Sequence, residues 1–454
     1  MPLYEVSGKN KYYTLYKDVR EDILRGKFKA GEKLPAKRVL AAELGVSVVT
    51  VQLAYEQLLA EGYVTSRERS GYFVESVNVH NSSKEGDVSQ KTPQAGKKTQ
   101  YIYDFVNGST PASLFPFSVW AKLMRGVLAD CGEHLLERVP CDGDGDLKKE
   151  IAAYLYRSRG IDADPQYIVI GAGAEYLYGV IVQLLGRDKL FAVENPGYGK
   201  ISGAYSLNGA KTHPISIFGT GISIDELKNS DADALHISPA HQFPTGVITP
   251  AATRSQIIEW ARERERYIIE DDYDSEFRLS GKPLQSLYSL CPEKVIYMNT
   301  FSKSLAPSMR MGYMVLPPAL YARFIKLFSS SANVVPLFEQ KALAAMLGGG
   351  YFERHINRLK NHYRDIRRAV VEMLEKLNTG CEINDTGGGL HLLVKFHGAT
   401  DAAIKEYAEG LGVRIRCLSD YLLAPLDGVE GCAVINYSGV TAGKLEDLAK
   451  KLKL

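Results

Sequence analysis

Lys303 is flanked by residue types that could do chemistry, with a hydroxyl at Ser302 and a guanidinium at Arg310. A lysine amine condenses with an aldehyde to a Schiff base, and a hydroxyl and a guanidinium can both bind phosphate. The run 295–299 before it has the pattern of a buried strand, so the lysine would follow a strand end. The pattern indicates a lysine that holds a phosphorylated aldehyde, although most lysines near strand ends only face water.

Two other segments supply groups that such a cofactor would need. Asp271 ends the strand-like run 267–270, and a carboxylate buried beneath a pyridine ring keeps the ring nitrogen protonated. The turn 171–175 lies between a strand-like and a helix-like run, so the amides of Gly173 and Ala174 can bind phosphate. Glycine-rich turns are common, and this turn alone indicates only an anion site.

Aromatic and polar side chains could complete the cofactor site. Tyr198 would place a ring near the cofactor, and His241 and Gln242 would supply polar groups for the ring hydroxyl. Taken singly, Tyr198 has the simpler interpretation of a core residue, and His241 that of a loop residue that is only hydrogen-bonded. The assignment therefore depends on all of these segments acting together.

The first 77 residues carry side chains that could contact DNA. Helical periodicity covers 12–25 and 38–44, a third helix would follow Ser47 as its N-cap, and 63–65 with 72–74 would form a hairpin. A helix-turn-helix places the third helix in the major groove, although any three-helix bundle with a hairpin shows this pattern. The expected base contacts are Ser47, Val48, Thr50 and Gln52, the phosphate contacts Lys37 and Arg38, and the minor-groove contacts Arg67 and Arg69.

The elements that position the lysine lie beyond residue 100, where strand-like and helical runs alternate, as is typical of an α/β domain with a largely parallel sheet. The predicted strands are 167–170, 189–193, 234–237, 267–270 and 295–299, and the predicted helices are 146–159, 175–185, 250–265 and 320–328. A second α/β portion opens at about residue 350 with a long helix, 352–377, and a strand, 390–396.

The stretch 78–100 separates the two parts of the chain. Its apolar side chains are few, two valines and an alanine, so it cannot bury enough surface to offset its ordering entropy, and a flexible linker is expected. The predicted domains are therefore 1–77, which binds DNA, and 101–454, divided into a large part of about 101–349 and a small C-terminal part of about 350–454.

Composition narrows the class of protein. With 45% hydrophobic and 24% charged residues the chain is typical of a globular protein, and its net charge of +2 argues neither for nor against nucleic acid. We expect no membrane span and no signal peptide, because long apolar runs and a basic-then-apolar start are missing from the sequence. The 6 cysteines are scattered without a Cys-x-x-Cys pair, which predicts reduced thiols in the cytoplasm and no metal site.

Longer motifs resemble known families. Residues 34–58, LPAKRVLAAELGVSVVTVQLAYEQL, with 61–64 and 70–74, resemble the GntR-type winged helix, except that Ala36 stands where the family usually has a phosphate-binding serine. SPAHQFPTG (238–246), IIEDDYDSEF (268–277) and MNTFSKSL (298–305) occur in the order shared by fold-type I pyridoxal phosphate enzymes. The amino-acid sequences of these motifs resemble those of the MocR subfamily of GntR regulators. The resemblance extends from about residue 12 to the C-terminus, except for the linker.

The resemblance implies a winged helix-turn-helix of α+β type followed by an α/β fold-type I aminotransferase-like domain that binds pyridoxal 5'-phosphate. Lys303 would form the Schiff base, Asp271 would meet the ring nitrogen, and Tyr273 would meet the side of the ring hydroxyl. The phosphate would be held by Arg310, Ser302, Gly173 and Ala174, with Tyr198 beside the ring.

The resemblance also implies a head-to-tail homodimer that binds a double-stranded DNA operator. It would sense an amino compound, or the cofactor itself, at Lys303, without physiological turnover. An active aminotransferase that carries a DNA-binding head is the alternative, and a cofactor-free interaction scaffold is a third interpretation.

Several departures leave the ligand open. Lys200 stands where a GABA-responsive member of the family has an arginine, and the strand 433–438 lacks the carboxylate-binding arginine of aminotransferases. Arg414 or Arg416 could replace that arginine, or could lie on a solvated strand edge. Arg138 falls near the position at which these folds often place a tyrosine that reaches the partner's phosphate.

Overall fold

The structure, a computed structural model, describes residue 4 and residues 10–76, 101–106, 108, 110–279, 284–377, 380–384 and 387–452. The chain divides into two compact units, Met1–Lys98 and Thr99–Leu454. The predicted linker, 78–100, lies outside the described residues and stays a prediction.

Three helices and a hairpin form the first unit. They are α1 (Lys11–Leu24), α2 (Lys37–Leu44), α3 (Val48–Ala60), β1 (Val64–Arg67) and β2 (Gly71–Val74). Their apolar faces meet in one core that includes Leu15, Val51 and Leu58. Gly45 ends α2 with a φ of 64°, and Ser47 caps α3 by accepting the Thr50 N–H at 3.1 Å, as predicted. The predicted winged helix-turn-helix is confirmed.

The second unit contains many more elements. Its strands are β3 (Tyr103–Asp104), β4 (Ile168–Gly171), β5 (Leu190–Asn195), β6 (Lys211–Phe218), β7 (Gly221–Ile222), β8 (Ala234–Ile237), β9 (Tyr267–Asp271), β10 (Val295–Thr300), β11 (Gly312–Val315), β12 (Glu382–Asn384), β13 (His391–Lys395), β14 (Val413–Arg414), β15 (Arg416–Cys417) and β16 (Cys432–Asn436). Its helices are α4 (Phe117–Cys131), α5 (Gly145–Arg159), α6 (Ala174–Leu185), α7 (Gly199–Leu207), α8 (Ile224–Asn229), α9 (Ala251–Glu263), α10 (Leu287–Leu290), α11 (Pro318–Phe328), α12 (Leu337–Gly348), α13 (Tyr351–Lys376), α14 (Asp401–Gly410) and α15 (Ala442–Lys451).

A mixed sheet of 8 strands, in the order β4-β11-β10-β9-β8-β5-β6-β7, forms the centre of this unit. The neighbours from β10 to β6 pair in parallel, whereas β11 and β7 pair antiparallel to their neighbours. Strands such as β4 and β8 are buried on both faces, which explains their continuous apolar runs. The predicted largely parallel sheet is confirmed.

Helices cover both faces of the central sheet. Successive strand residues point to opposite faces, so Ile168 and Ile170 join one core while Val169 joins the other. Residues of α5, α9, α12 and α13 pack in the first core, and residues of α6, α7 and α11 pack in the second. This is the three-layer α/β arrangement expected from the alternating runs.

The C-terminal portion has its own antiparallel sheet, β12-β13-β16-β15. Strand β3, at the start of the second unit, pairs in parallel with β14, and Phe105 O accepts the Asn436 N–H at 3.0 Å. Residues 101–106, which the sequence analysis assigned to the large part, therefore pair with the C-terminal portion. Such long-range pairing satisfies the backbone polar groups of a short, isolated segment.

Candidate functional site

The candidate cofactor residues lie at one edge of the central sheet. Strands β4, β5, β8, β9 and β10 run in one direction, so their carboxyl ends meet at the same edge. At or just after these ends come Gly173, Tyr198, His241, Asp271 and Lys303. The fold thus brings together segments that are far apart in the sequence.

Lys303 follows β10 and is partly buried. Its Nζ donates a hydrogen bond to Gly108 O at 2.8 Å, and Thr110 Oγ1 donates to Lys303 O at 2.8 Å. Burial lowers the pKa of Lys303, with Lys200 acting in the same direction and Asp274 opposing it. A lower pKa increases the fraction of neutral amine, which is the nucleophilic form that attacks an aldehyde.

Asp271 is the last residue of β9 and is only 6% exposed. Tyr178, on α6, donates its hydroxyl to Asp271 Oδ2 at 2.7 Å, and His236 Nε2 lies 3.4 Å from the same oxygen. Tyr205 in turn hydrogen-bonds His236 Nδ1 at 2.7 Å. These three supporting residues were not predicted from the sequence. The one available signal was His236, a polar residue inside the otherwise apolar strand β8.

The start of α6 and Arg310 form a cradle suited to an anion. Gly173 precedes α6 with a φ of 86°, and α6 has no side-chain cap, so its first N–H groups are available. A Cβ at Gly173 would lie 3.2 Å from Arg310 Nη2, which donates to Ala172 O at 3.3 Å. Ser302 lies partly buried next to Lys303. A helix N-terminus beside a guanidinium suits a phosphate.

Tyr273 lies in a buried polar cluster beside Lys303. Its hydroxyl is 3.3 Å from His241 Nδ1, which is 2.9 Å from Asp274 Oδ2. The rings of His241 and His391 lie 4.7 Å apart, so the structure adds Asp274 and His391 to the residues named from the sequence. Burial, and next to it the charge of Asp274, raises the pKa of Tyr273 well above its ordinary value, so the phenol stays protonated and can donate.

Gln242 has contacts that differ from the predicted cofactor contact. Its Nε2 donates to Pro196 O at 2.8 Å and to Phe243 O at 2.7 Å. Its Oε1 accepts from the N–H of Thr245 at 3.0 Å and from the hydroxyl of Thr245 at 2.6 Å. A primary amide has two donors and two acceptor lone pairs, so protein groups already saturate this one. In the structure, Gln242 joins the loop after β5 to the loop after β8.

Tyr198 and Lys200 lie together at the start of α7. The ring of Tyr198 is 43% exposed and meets Phe243 edge-on at 5.8 Å, and Lys200 Nζ lies 5.9 Å from the Tyr198 ring centre. Tyr198 is therefore not a core residue. The charge of Lys200 lowers the pKa of Lys303, so the two amines are close enough for their charges to interact.

The two arginines that could replace a carboxylate-binding arginine have other partners. Arg414 Nη1 lies 3.4 Å from Asp104 Oδ2, and its guanidinium lies over the Tyr101 ring at 5.7 Å. Arg416 is exposed and lies over the Tyr421 ring at 5.8 Å. Arg138 donates to Ser330 O. The structure therefore does not bring Arg414 or Arg416 to Lys303.

The candidate DNA-reading residues lie on exposed positions of the first unit. Val48 and Val49 are exposed at the start of α3, as predicted, while the hydroxyls of Ser47 and Thr50 bond each other at 2.9 Å. Further along α3, Gln52 Nε2 donates to Glu56 Oε1 at 2.8 Å. Arg38 is exposed at the start of α2.

The remaining cations of this surface lie on aromatic rings or at the hairpin tip. Lys37 Nζ is 5.7 Å from the Tyr72 ring centre, and the guanidinium of Arg67 lies 4.5 Å from the Phe73 ring centre. Arg69, at the tip, has a φ of 56°. These contacts hold Lys37 and Arg67 beside the hairpin without neutralising their charge.

Two family models match the chain. The model of bacterial regulatory proteins of the gntR family matches residues 11–74, and that of aminotransferase class I and II matches residues 109–452. A solved kynurenine aminotransferase of Pyrococcus horikoshii shares the fold, with a TM-score of 0.68 and 24% identity over 78% of this chain and 91% of its own. A gntR-type DNA-binding domain followed by an aminotransferase-like domain defines a class of transcriptional regulators.

Relatives of known sequence have the same two-domain plan. The uncharacterized HTH-type transcriptional regulator YdeL of Bacillus subtilis is 35% identical over 97% of this chain and 96% of its own length. The probable rhizopine catabolism regulatory protein MocR of Rhizobium meliloti is 30% identical over 94% of this chain and 90% of its own. The chain belongs to the MocR subfamily of GntR transcriptional regulators. Among the helices of the described residues, none is long and apolar enough to cross a membrane.

Proposed function

We propose that this DNA-binding regulator carries pyridoxal 5'-phosphate on Lys303 and responds there to a small amino compound or to the cofactor itself. The observation that carries the proposal is the convergence of Lys303, Asp271 and the Arg310–Gly173 cradle at one edge of the sheet. When bound, the cofactor supplies an electrophilic carbon and an electron-withdrawing ring, which together accept a primary amine.

The side chains of this chain fit that group. The free N–H groups at the start of α6 and the Arg310 guanidinium would hold the phosphate, and glycine at position 173 lets Arg310 come close to the main chain there. Asp271, held by Tyr178, would keep a proton on the ring nitrogen. Tyr273 would donate its phenolic proton to the ring hydroxyl.

Regulation requires the effector to change how the protein binds DNA. We propose that the protein acts in the cytoplasm as a head-to-tail homodimer on a double-stranded operator, with the first unit making the DNA contacts. An effector can shift this equilibrium only if it favours one arrangement of the dimer over another. Contacts of the effector near Lys303 must therefore differ between the two arrangements.

The alternative is an active aminotransferase with an appended DNA-binding unit. It is supported by the same convergence of Lys303, Asp271 and the Arg310–Gly173 cradle, because an aminotransferase would need these groups as well. Incubation with amines and a keto acid distinguishes the two functions, because an enzyme releases product repeatedly and a sensor does not.

The experiment for the proposed function locates the cofactor. Purified protein should show a visible absorbance band that Lys303→Ala abolishes and that Lys211→Ala, the matched control at an exposed lysine of β6, retains. Borohydride reduction followed by peptide mapping should find the pyridoxyl label on Lys303. A label on any other lysine, or a band that survives in Lys303→Ala, would overturn the proposed function.

A further inference from the structure

A buried cluster of His241, Asp274 and His391 lies next to Lys303, and of these three residues only His241 was assigned a cofactor contact from the sequence. The three residues are 6%, 3% and 4% exposed, and their ligating atoms lie within 4.8 Å of one another. They come from the β8–α9 loop, the turn after β9 and the first residue of β13. Asp274 and Lys303 lie close enough for their charges to interact, as do His391 and Lys303.

The cluster presents hydrogen-bond acceptors. Nδ1 of His241 faces the Asp274 carboxylate and donates to it, which makes Nε2 the acceptor nitrogen of that tautomer. His391 hydrogen-bonds the backbone of Pro244, and burial lowers the pKa of His391 well below its usual range, so this ring is neutral. The Nε2 atoms of both histidines are buried without a partner. Two lone pairs beside a carboxylate suit a ligand that donates hydrogen bonds.

The cations around the cluster are Arg159 and Arg278, which line the pocket that contains His241 and Asp274, and Arg159 is paired with Asp272 at 2.9 Å. Asn436, the Cα partner of His391 across β13 and β16, is neutral, and its Oδ1 accepts from the N–H and hydroxyl of Ser438 at 3.1 and 2.7 Å. Arg414 and Arg416 lie against Asp104 and Tyr421 instead. Lys200 is the rival cation near Lys303, and it stands on α7, outside the cluster.

We propose that the effector is a primary amine whose second polar group is a hydrogen-bond donor, a hydroxyl or a second amine, bound by His241, Asp274 and His391. This inference rests on the proposed function, since it places the first amine of the effector at Lys303. It assigns the ligand to amino alcohols and diamines, and Arg278, in the same pocket as His241 and Asp274, is the cation to which a competing carboxylate would bind.

The test uses the full-length, cofactor-loaded protein and four amines with the same carbon chain. They are 4-aminobutan-1-ol, 1,4-diaminobutane, butylamine and 4-aminobutanoate, with affinities from calorimetry and spectral shifts read in parallel. The alcohol or the diamine should bind at least about tenfold more tightly than the other two, as expected for one hydrogen bond to a charged or otherwise unpaired group. Five-carbon analogues repeat the comparison at a second length.

Variants identify the residues that bind the second polar group of the effector. His391→Phe keeps an aromatic ring against Phe243 and removes Nε2, so it should lose about tenfold in affinity for the preferred amine and leave butylamine binding unchanged. His397→Phe, at an exposed histidine, is the matched control and should change neither affinity. Unchanged butylamine binding shows that the variant is folded and that the site at Lys303 still binds a primary amine.

Three outcomes would overturn the inference. If all four amines bind equally, the cluster does not contact the effector. If 4-aminobutanoate binds most tightly and Lys200→Met abolishes that preference, the ligand is a carboxylate held by Lys200. Stoichiometric zinc in the purified protein, lost in His391→Phe, would make the cluster a metal site. If no amine binds and no lysine is labelled by borohydride, the proposed function itself fails.

Discussion

Gln242→Met tests whether Gln242 joins two loops or contacts the cofactor. Methionine keeps nearly the same volume and length, so the substitution removes hydrogen bonds without opening a large cavity. The native side chain is 2% exposed and bonds Pro196 O, Phe243 O and both polar groups of Thr245. These partners lose their side-chain bonds in the variant and remain buried.

The expected loss of stability follows from counting those bonds. A typical hydrogen bond contributes about 1 kcal/mol net, so four of them give about 4 kcal/mol, and partial relaxation of the loops lowers this to roughly 2–4 kcal/mol. The site of Lys303 should survive because Gln242 donates and accepts only within the protein. The variant should therefore be less stable and retain its visible absorbance band.

Tryptophan fluorescence during a urea titration measures the loss of stability of the second unit, which contains Gln242. The chain has 2 tryptophans, Trp120 and Trp260, and both belong to the second unit. Gln183→Met, at an exposed glutamine on α6, is the matched control and should change the unfolding free energy by less than about 0.5 kcal/mol. A loss below about 1 kcal/mol in Gln242→Met would refute the loop-joining role, and a stable variant without the band would show direct cofactor contact.

Two further predictions concern DNA and pH. Arg38→Ala should weaken binding to all DNA sequences, and it should reduce the slope of log affinity against log salt concentration by about the value of one phosphate contact. Gln52→Ala should instead relax the preference at particular base pairs. Fluorescence anisotropy at several salt concentrations checks both, and a uniform loss in Gln52→Ala would contradict base reading. Burial raises the pKa of Glu194 from 4.5 to about 8, so its contribution to stability is present below pH 4.5 and is lost as pH rises through about 8. Glu194→Gln should flatten the unfolding free energy across this window in urea titrations, and an unchanged slope would count against it.

The local sequence pattern was sufficient to predict most of the helices and strands. Strand β8 has the predicted bounds because its four residues are buried on both faces and so form an uninterrupted apolar run. The cap of α3 at Ser47 also follows from a local rule, since the hydroxyl needs only the N–H three residues later. The convergence at Lys303 could be anticipated from the order of the motifs, because parallel strands bring their carboxyl ends to one edge.

Contacts that depend on strand order could not be predicted in this way. Tyr178 is in an apolar helix and reads as a core residue, yet its hydroxyl holds Asp271 because α6 packs on β9. The sequence left Arg414 as a candidate for binding the ligand carboxylate. In the structure its strand, β14, pairs with β3, and this pairing places Arg414 against Asp104. Gln242 has the right chemistry for a cofactor, and only the position of Pro196 in the neighbouring loop shows that the amide is already used.

The short stretch that begins the second unit joins the C-terminal portion to the loop of Lys303. Its strand β3 pairs with β14, Gly108 O accepts from Lys303 Nζ, and Thr110 donates to the main chain of Lys303. If the Lys303 nitrogen bonds to another group, its hydrogen bond to Gly108 O is weakened. The contacts that hold this stretch then depend on whether Lys303 is occupied.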